Sequence, residues 1–235
     1  MKRRVETSRP VDAIRTLQRL TTYGADPGMK VADGIGYWAY RTEDGPVTLA
    51  YRQVADAAVE VEAWGPGTER GLADAPLHLG VNDRPELFST DDPVVAPLVK
   101  RFSGLRFGCT HRIIDRLVPI IIGQKVTGAG AAQSWRDLVY RHGERAPEPS
   151  PKLWLMPTPE RFAELAYYDL HPLGIERKRA IVILDVMRRA RKIERLVDAG
   201  PDVAEQRLLA FRGIGPWTAS IVRSGTESAL RSRRS

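Results

Sequence analysis

The sequence has almost no cysteine and no long apolar run. Its 235 residues include one cysteine, Cys109, which excludes a disulfide framework, a zinc knuckle and a four-cysteine iron–sulfur cluster. No apolar stretch reaches the length of a membrane span, and no apolar core follows the basic start of the chain, so we expect neither a membrane segment nor a signal peptide. These absences favour a reduced, cytoplasmic protein. The four histidines share no metal-ligand spacing, so no metal site is predicted: His78, His111, His142 and His171.

Acidic residues are scarce in the second part of the chain. Residues 1–100 carry a net charge of −3, whereas residues 101–235 carry +10. Arginine outnumbers lysine by 29 to 7, and the guanidinium group binds phosphate through two parallel hydrogen bonds. This asymmetry favours a polyanionic partner for the C-terminal part. Solvated basic helix faces, or a surface for an acidic protein, are alternatives that charge alone does not exclude.

The N-terminal part has the pattern of a small sheet with a helix. Val11, Ile14 and Leu17 recur at helical spacing and predict a helix over residues 11–22. Three β-branched or aromatic segments follow, separated by turn signals: 37–41, 47–51 and 58–64. We predict an antiparallel meander packed on the helix.

From about residue 91 onward the apolar spacing becomes helical. One apolar face covers residues 113–122, and Pro119 within it is expected to kink or split that helix. Residues 144–157 contain four prolines and predict a surface loop, and Thr158 with Pro159 then forms a helix start. Residues 176–192 predict a single helix with one apolar and one basic face.

The most informative segment is a pair of glycines between two predicted helices. A short helix ends near Leu209, Gly213-Ile214-Gly215 forms a turn, and Pro216 suits the first position of the next helix. The glycines allow positive φ and close approach of a phosphate, and the amides of the turn lie at a helix N-terminus. This helix-hairpin-helix pattern predicts contact with DNA phosphates through Gly213, Ile214, Gly215 and Thr218, without reading of bases. An ordinary tight turn between two helices is the alternative.

The predicted fold class is therefore α+β. Residues 1–90 form an N-terminal α+β domain with an antiparallel sheet, and residues 91–223 form an all-α helix-hairpin-helix domain, incomplete at its C-terminal end. Residues 224–235 lack apolar periodicity and are interpreted as a disordered or out-of-frame tail.

Three further motifs, in the same order along the chain, carry a resemblance to a known family. The first, residues 63–67, closes the meander. In the second, residues 119–127, a predicted helix ends at Gly123 and Gln124. In the third, residues 173–180, Leu173 and Gly174 precede basic residues. With the hairpin, they resemble the helix-hairpin-helix superfamily of DNA glycosylases, and specifically its 3-methyladenine DNA glycosylase II branch. The resemblance extends from about residue 11 to residue 222.

This resemblance implies base excision repair: hydrolysis of the N-glycosidic bond of alkylated purines such as 3-methyladenine. Alkylation places positive charge on the purine, so the everted base needs an electron-rich aromatic face. Trp217 stands where this branch has a pocket tryptophan and where lyase relatives have a Schiff-base lysine, which implies a monofunctional enzyme. The alternative is that Trp217 is core packing.

When a base is flipped out of the duplex, it leaves a gap in the stack of bases. The resemblance implies that Gln124 and Lys125 fill this gap. A lysine favoured by the C-terminal dipole of the preceding helix is the alternative for Lys125. The implied partner is double-stranded DNA with a damaged base, bound by a monomer. We expect no cofactor, apart from a monovalent cation that the hairpin carbonyls could hold.

The family pattern also implies a catalytic aspartate about two dozen residues after the hairpin glycines. The sequence has no aspartate after Asp202, and its one carboxylate side chain after the hairpin glycines is Glu227. We therefore expect no catalytic residue among those present, doubtful activity, and a poorly covered apolar surface at the second hairpin helix: Ile214, Trp217, Ile221 and Val222. The alternative function is a non-catalytic protein that binds damaged DNA.

Overall fold

A five-stranded antiparallel sheet forms the N-terminal part of the computed structural model, which describes residues 1–147 and 152–226. Its strands are β1 (Lys2–Glu6), β2 (Met29–Ala32), β3 (Ile35–Thr42), β4 (Gly45–Ala55) and β5 (Ala58–Trp64). Their order across the sheet is β1-β5-β4-β3-β2. Each neighbouring pair is antiparallel, so the predicted meander is confirmed as the centre of a larger sheet.

The middle of the sheet is covered on both faces. Helices α1 (Ala13–Gln18) and α2 (Thr68–His78) pack on one face, where Val47, Leu49 and Tyr51 are buried. On the other face Ala39 packs against a two-stranded ribbon, formed by β6 (Glu144–Arg145) and β7 (Trp154–Leu155). Burial on both sides explains why five consecutive residues of β4, Val47 to Tyr51, are buried instead of every second one.

The remaining elements are helical. They are α3 (Val95–Arg101), α4 (Ile114–Ile122), α5 (Gly128–His142), α6 (Pro159–Ala163), α7 (Tyr167–Leu170), α8 (Arg177–Arg188), α9 (Ala190–Glu194), α10 (Pro201–Leu209) and α11 (Pro216–Thr226), with short 3₁₀ turns at Pro85–Leu87, His171–Leu173 and Arg195–Ala199. The apolar helix α4 lies at the centre of the helical core, with buried residues along nearly its whole length. The α+β fold class is thus confirmed. None of the described helices has the length and apolar character that a bilayer span requires.

Several local predictions differ from the observed elements. Pro119 lies inside α4, which stays one helix, so the predicted split is wrong. The proline removes one hydrogen bond of the helix, which ends three residues later at Ile122. The single helix predicted over 176–192 is wrong: it ends at Arg188, and α9 starts after Arg189, whose φ of −112° and ψ of 13° leave the helical region. The predicted loop at 144–157 contains the ribbon β6–β7, while residues 148–151 lie outside the described residues.

The ends of the predicted domains remain predictions. The last helix, α11, continues to Thr226, three residues into the segment interpreted as a tail. The rest of that segment, including Glu227, lies outside the part of the chain that the structure describes.

Side chains from the two parts meet along a seam. The Asp26 carboxylate accepts hydrogen bonds from the Gly28 amide and the Trp135 indole, each 2.8 Å long. Burial raises the pKa of Asp26 to about 6. Close by in the sequence, the Tyr23 hydroxyl donates to the Pro119 carbonyl over 2.7 Å. These contacts fix the loop after α1 against α4 and α5.

Candidate nucleic-acid interface

Helices α10 and α11 form a helix-hairpin-helix. The turn between them has Gly213 at a φ of +90°, a conformation that favours glycine. A Cβ atom on Gly213 would also overlap the Val182 side chain of α8, so glycine is required here for both reasons. Ile214 is buried and anchors the turn in the helical core, and Pro216 is the first residue of α11.

The hairpin presents unused backbone donors. The Ile214 amide donates to the Phe211 carbonyl over 3.0 Å. Within the described residues, the amides of Gly213, Gly215 and Thr218 donate to no protein acceptor. They lie at the N-terminal end of α11, where the helix dipole adds to their attraction for an anion. Ile214 and Thr218 are buried, so neither presents its side chain to a ligand.

Gln124 connects the hairpin to the loop after α4. Its side-chain amide donates to the Gly213 carbonyl over 3.1 Å and to the Thr218 hydroxyl over 3.0 Å. Lys125 follows with a φ of +56°, and its side chain is exposed. Of the two residues predicted to fill the gap in DNA, Gln124 is therefore held against the hairpin, and Lys125 is the residue that projects.

A buried arginine fixes the other end of this loop. The Arg179 guanidinium donates to the Ile122 carbonyl at the end of α4 and, over 3.1 Å, to the Gly174 carbonyl. Two segments of the family resemblance, 119–127 and 173–180, are thus joined in space. Arg179 serves this packing and is not on the surface.

Beside the hairpin lies a cleft of about 420 Å³. Residues 21–23 form one wall, and Arg116, Val126, Trp217 and Ile221 contribute to the others. Trp217 is 62% exposed. The interpretation of Trp217 as core packing is therefore wrong, because its indole faces the cleft and solvent.

The expected poor covering of the second hairpin helix is only partly observed. Ile214 and Val222 are fully buried, since they pack into the core around α4, so the expectation is wrong for these two residues. Trp217 is exposed, and Ile221 is partly buried at the cleft.

Polar groups of the cleft are donors. The Tyr23 hydroxyl is held by the Pro119 carbonyl, and burial raises the pKa of Tyr23 to about 12, so it stays neutral. Arg116 donates to the carbonyls of Leu20 and Ile221 over 3.4 Å each. Sequence reasoning missed both residues, because Tyr23 lies in a polar segment and Arg116 lies between apolar positions of a core helix.

No carboxylate is among the cleft-lining residues of the described chain. A carboxylate that is strongly perturbed by burial lies elsewhere: Glu194 accepts the amides of Ile113 and Ile114, 2.8 Å each, at the start of α4. Burial raises the pKa of Glu194 to about 7. Glu194 therefore caps a helix and does not face the cleft. In residues 1–147 and 152–226, no group of histidine, cysteine or acidic residues forms a metal site.

Comparison with known sequences finds relatives with a shared name. No protein-family model matches the chain. It is 29% identical over 135 residues to the DNA-3-methyladenine glycosylase of Bacillus subtilis strain 168, covering 56% of this chain and 45% of that protein. It is 25% identical over 132 residues to the putative DNA-3-methyladenine glycosylase YfjP of the same organism, and this match covers 54% of this chain and 45% of that protein. The chain spans less than half the length of these relatives.

Comparison with solved structures finds the same fold. A 3-methyladenine DNA glycosylase from Archaeoglobus fulgidus superposes with a TM-score of 0.80 at 22% identity, covering 95% of this chain and 79% of that one. The structure of MBOgg1 in complex with a low-affinity DNA ligand superposes with a TM-score of 0.69 at 16% identity, covering 96% of this chain and 76% of that one. The chain is thus similar in sequence to proteins named DNA-3-methyladenine glycosylase, and it shares its fold with a solved 3-methyladenine DNA glycosylase.

Proposed function

We propose that this chain acts in base excision repair of DNA. It binds duplex DNA through the hairpin and holds an everted alkylated purine, such as 3-methyladenine, against Trp217 for hydrolysis of the N-glycosidic bond. The observation that carries this proposal is the position of an exposed indole in a cleft directly beside unused hairpin amides. The relatives named as 3-methyladenine glycosylases support the choice of substrate.

The hairpin supplies phosphate binding without sequence preference. The free amides of Gly213, Gly215 and Thr218 are suited to phosphate oxygens, and they carry no information about the base. The monovalent cation expected at the hairpin carbonyls remains a prediction. The Gly213 carbonyl already accepts a hydrogen bond from Gln124.

The cleft suits a cationic base and a reaction without a covalent step. An alkylated purine carries positive charge, which an indole face attracts more strongly when water is excluded. Lyase chemistry needs an amine nucleophile, and none of the described residues lining the cleft is a lysine. Both features support a monofunctional glycosylase.

A second function is favoured by the chemistry of the cleft. Hydrolysis needs a carboxylate to stabilise the developing sugar cation and to orient water, and none lines the cleft among the described residues. A chain with the hairpin and the indole alone would bind damaged DNA and release the base very slowly. The alternative proposal is therefore a non-catalytic protein that binds damaged DNA.

The test compares binding and base release on the same DNA. We expect the chain to bind a duplex containing 7-methylguanine several-fold more tightly than an unmodified duplex, measured by fluorescence anisotropy. Trp217→Ala should abolish this preference, while Trp154→Ala, at the ribbon, should not change it. Chromatography of released base then separates the two functions: turnover supports the glycosylase, and binding without turnover supports the alternative. Equal binding of both duplexes by the wild type would contradict both.

A further inference from the structure

A row of arginines leads away from the cleft. It starts at Arg116, which lines the cleft, and continues to Arg19 at the end of α1. The Arg116 guanidinium donates to the carbonyl of Leu20, the neighbour of Arg19 in the chain, over 3.4 Å. Burial and the positive charge of Arg19 both lower the pKa of Arg116. Arg15, one turn before Arg19, and Arg101, at the end of α3, complete the set that we name the arginine row.

Exposed aromatic rings hold the outer members of the row in place. The Arg19 guanidinium lies 5.7 Å from the centre of the Phe107 ring. Arg15 and Arg101 both lie over Phe102, at 5.3 and 5.5 Å. Phe107 is 51% exposed, an unusual position for phenylalanine unless its face is used. Cation–π contacts of this kind orient the guanidinium groups while leaving their N–H donors toward solvent.

Few counter-charges balance the row. Arg15 pairs with Asp12 over 3.4 Å. Across residues 1–147 and 152–226, Arg19, Arg101 and Arg116 form no ion pair with a carboxylate. Four clustered cations with one anion repel one another, and a polyanion relieves that repulsion by displacing counterions.

We propose that the arginine row is a second phosphate-binding surface, so that a DNA strand leaving the cleft continues over α1 to the end of α3. The continuity of the row with the cleft favours DNA over an acidic protein segment as the occupant. This inference rests on the proposed DNA function, and it extends the contact area onto the N-terminal part of the chain.

The test uses the salt dependence of DNA binding, because each lost phosphate contact lowers the slope of log affinity against log salt by about 0.9. We compare the wild type with Arg19→Ala/Arg101→Ala on a duplex with a central abasic analogue. The double variant should bind about tenfold more weakly at low salt, with a slope smaller by about 2. Arg19→Lys/Arg101→Lys, which keeps both charges, should restore most of the slope.

A matched control removes the same charge elsewhere. Arg4→Ala/Arg52→Ala takes two exposed arginines from the sheet and should leave the slope unchanged. If the row variant keeps the wild-type slope while the wild type binds DNA, the inference is overturned, and an acidic protein becomes the candidate occupant. If the wild type itself does not bind DNA, the proposed function fails instead. Thermal unfolding at an unchanged midpoint verifies that each variant is folded.

Discussion

At the scale of single residues, Gly213 has the strictest steric requirement in the hairpin. Gly213→Ala introduces a Cβ atom at positive φ and against Val182. We expect a loss of about 1–3 kcal/mol in the free energy of unfolding and a marked loss of DNA affinity. Urea denaturation followed by circular dichroism measures the first, and anisotropy measures the second.

Two variants separate the causes of this loss. Gly215→Ala meets no atom within 4 Å, and its stability should change by less than about 1 kcal/mol. Gly213→Ala combined with Val182→Ala removes the overlap but keeps the positive φ, so it should recover only part of the loss. Equal stability of Gly213→Ala and the wild type would contradict the steric argument.

Gln124 gives a prediction of a different kind, because its side chain joins two loops. Gln124→Ala removes the hydrogen bonds to Gly213 and Thr218. We expect a cost of about 1 kcal/mol in stability and a several-fold loss of affinity for abasic DNA, since the hairpin is held less firmly. Gln133→Ala, on the exposed side of α5, is the matched control and should change neither quantity. An affinity loss as large in the control would contradict the assignment.

The single residues were predictable to different degrees. Gly213 and Gly215 stand in a local motif, so the hairpin followed from neighbouring residues, whereas the place of Trp217 in a pocket was implied by the family resemblance. The contact of Gln124 with the hairpin joins positions 89 residues apart. Tyr23 and Arg116 belong to the cleft only because the segment after α1 packs against α4. No local pattern encodes these contacts, since they depend on how distant elements meet.

At the scale of elements, the start of α4 depends on a carboxylate from α9. The folded state keeps Glu194 protonated up to about pH 7, whereas the unfolded chain releases that proton near pH 4.5. Its contribution therefore favours folding at low pH and is lost as pH rises from about 4.5 to 7. Glu194→Gln does not titrate, but it loses one of the two cap acceptors. It should therefore be less stable than the wild type near pH 4.5, and this difference should shrink by roughly 1–3 kcal/mol as pH rises above 7. Denaturation across this pH range measures the difference.

The control for this experiment is an exposed glutamate on the sheet. Glu60→Gln should show a stability difference from the wild type that does not change with pH. A Glu194→Gln variant that loses stability equally at all pH values would show that only the cap hydrogen bonds matter. That result would contradict the pH prediction.

The elements themselves were predictable where apolar spacing is strong. The central strands and α4 have clear apolar patterns, and Thr158 caps α6 as predicted, with its hydroxyl accepting the Arg161 amide over 3.1 Å. The edge strand β1 was missed because four of its five residues are exposed. It is held by backbone pairing with β5, which leaves no apolar pattern in the sequence. The break at Arg189 was missed because arginine is a good helix former, and packing of α9 decides the change in direction.

At the scale of the whole molecule, Arg112 links the sheet to the helical part. Its guanidinium lies 3.7 Å from the centre of the Tyr40 ring in β3, and its Nε donates to the Asp115 carboxylate over 2.6 Å. Arg112→Ala should lower the free energy of unfolding by about 2 kcal/mol. We also expect the near- and far-ultraviolet unfolding curves, which coincide in a cooperative protein, to separate.

Arg145→Ala provides the matched comparison. The Arg145 guanidinium also lies over an aromatic ring, 5.2 Å from the centre of the Trp154 ring, but Arg145 is on the exposed ribbon. This variant should lower the free energy of unfolding by less than about 1 kcal/mol, and its near- and far-ultraviolet unfolding curves should still coincide. If both variants behave alike, the seam does not depend on Arg112.

The position of the cleft across this seam has one more consequence. One wall belongs to the segment after α1 and the others to α4 and the hairpin helix, so neither part encloses the space alone. The width of its mouth is thus set by how tightly the segment after α1 is held against α4 and α11. A slight loosening of these contacts would change the shape of the cleft before the sheet or the helical core unfolds.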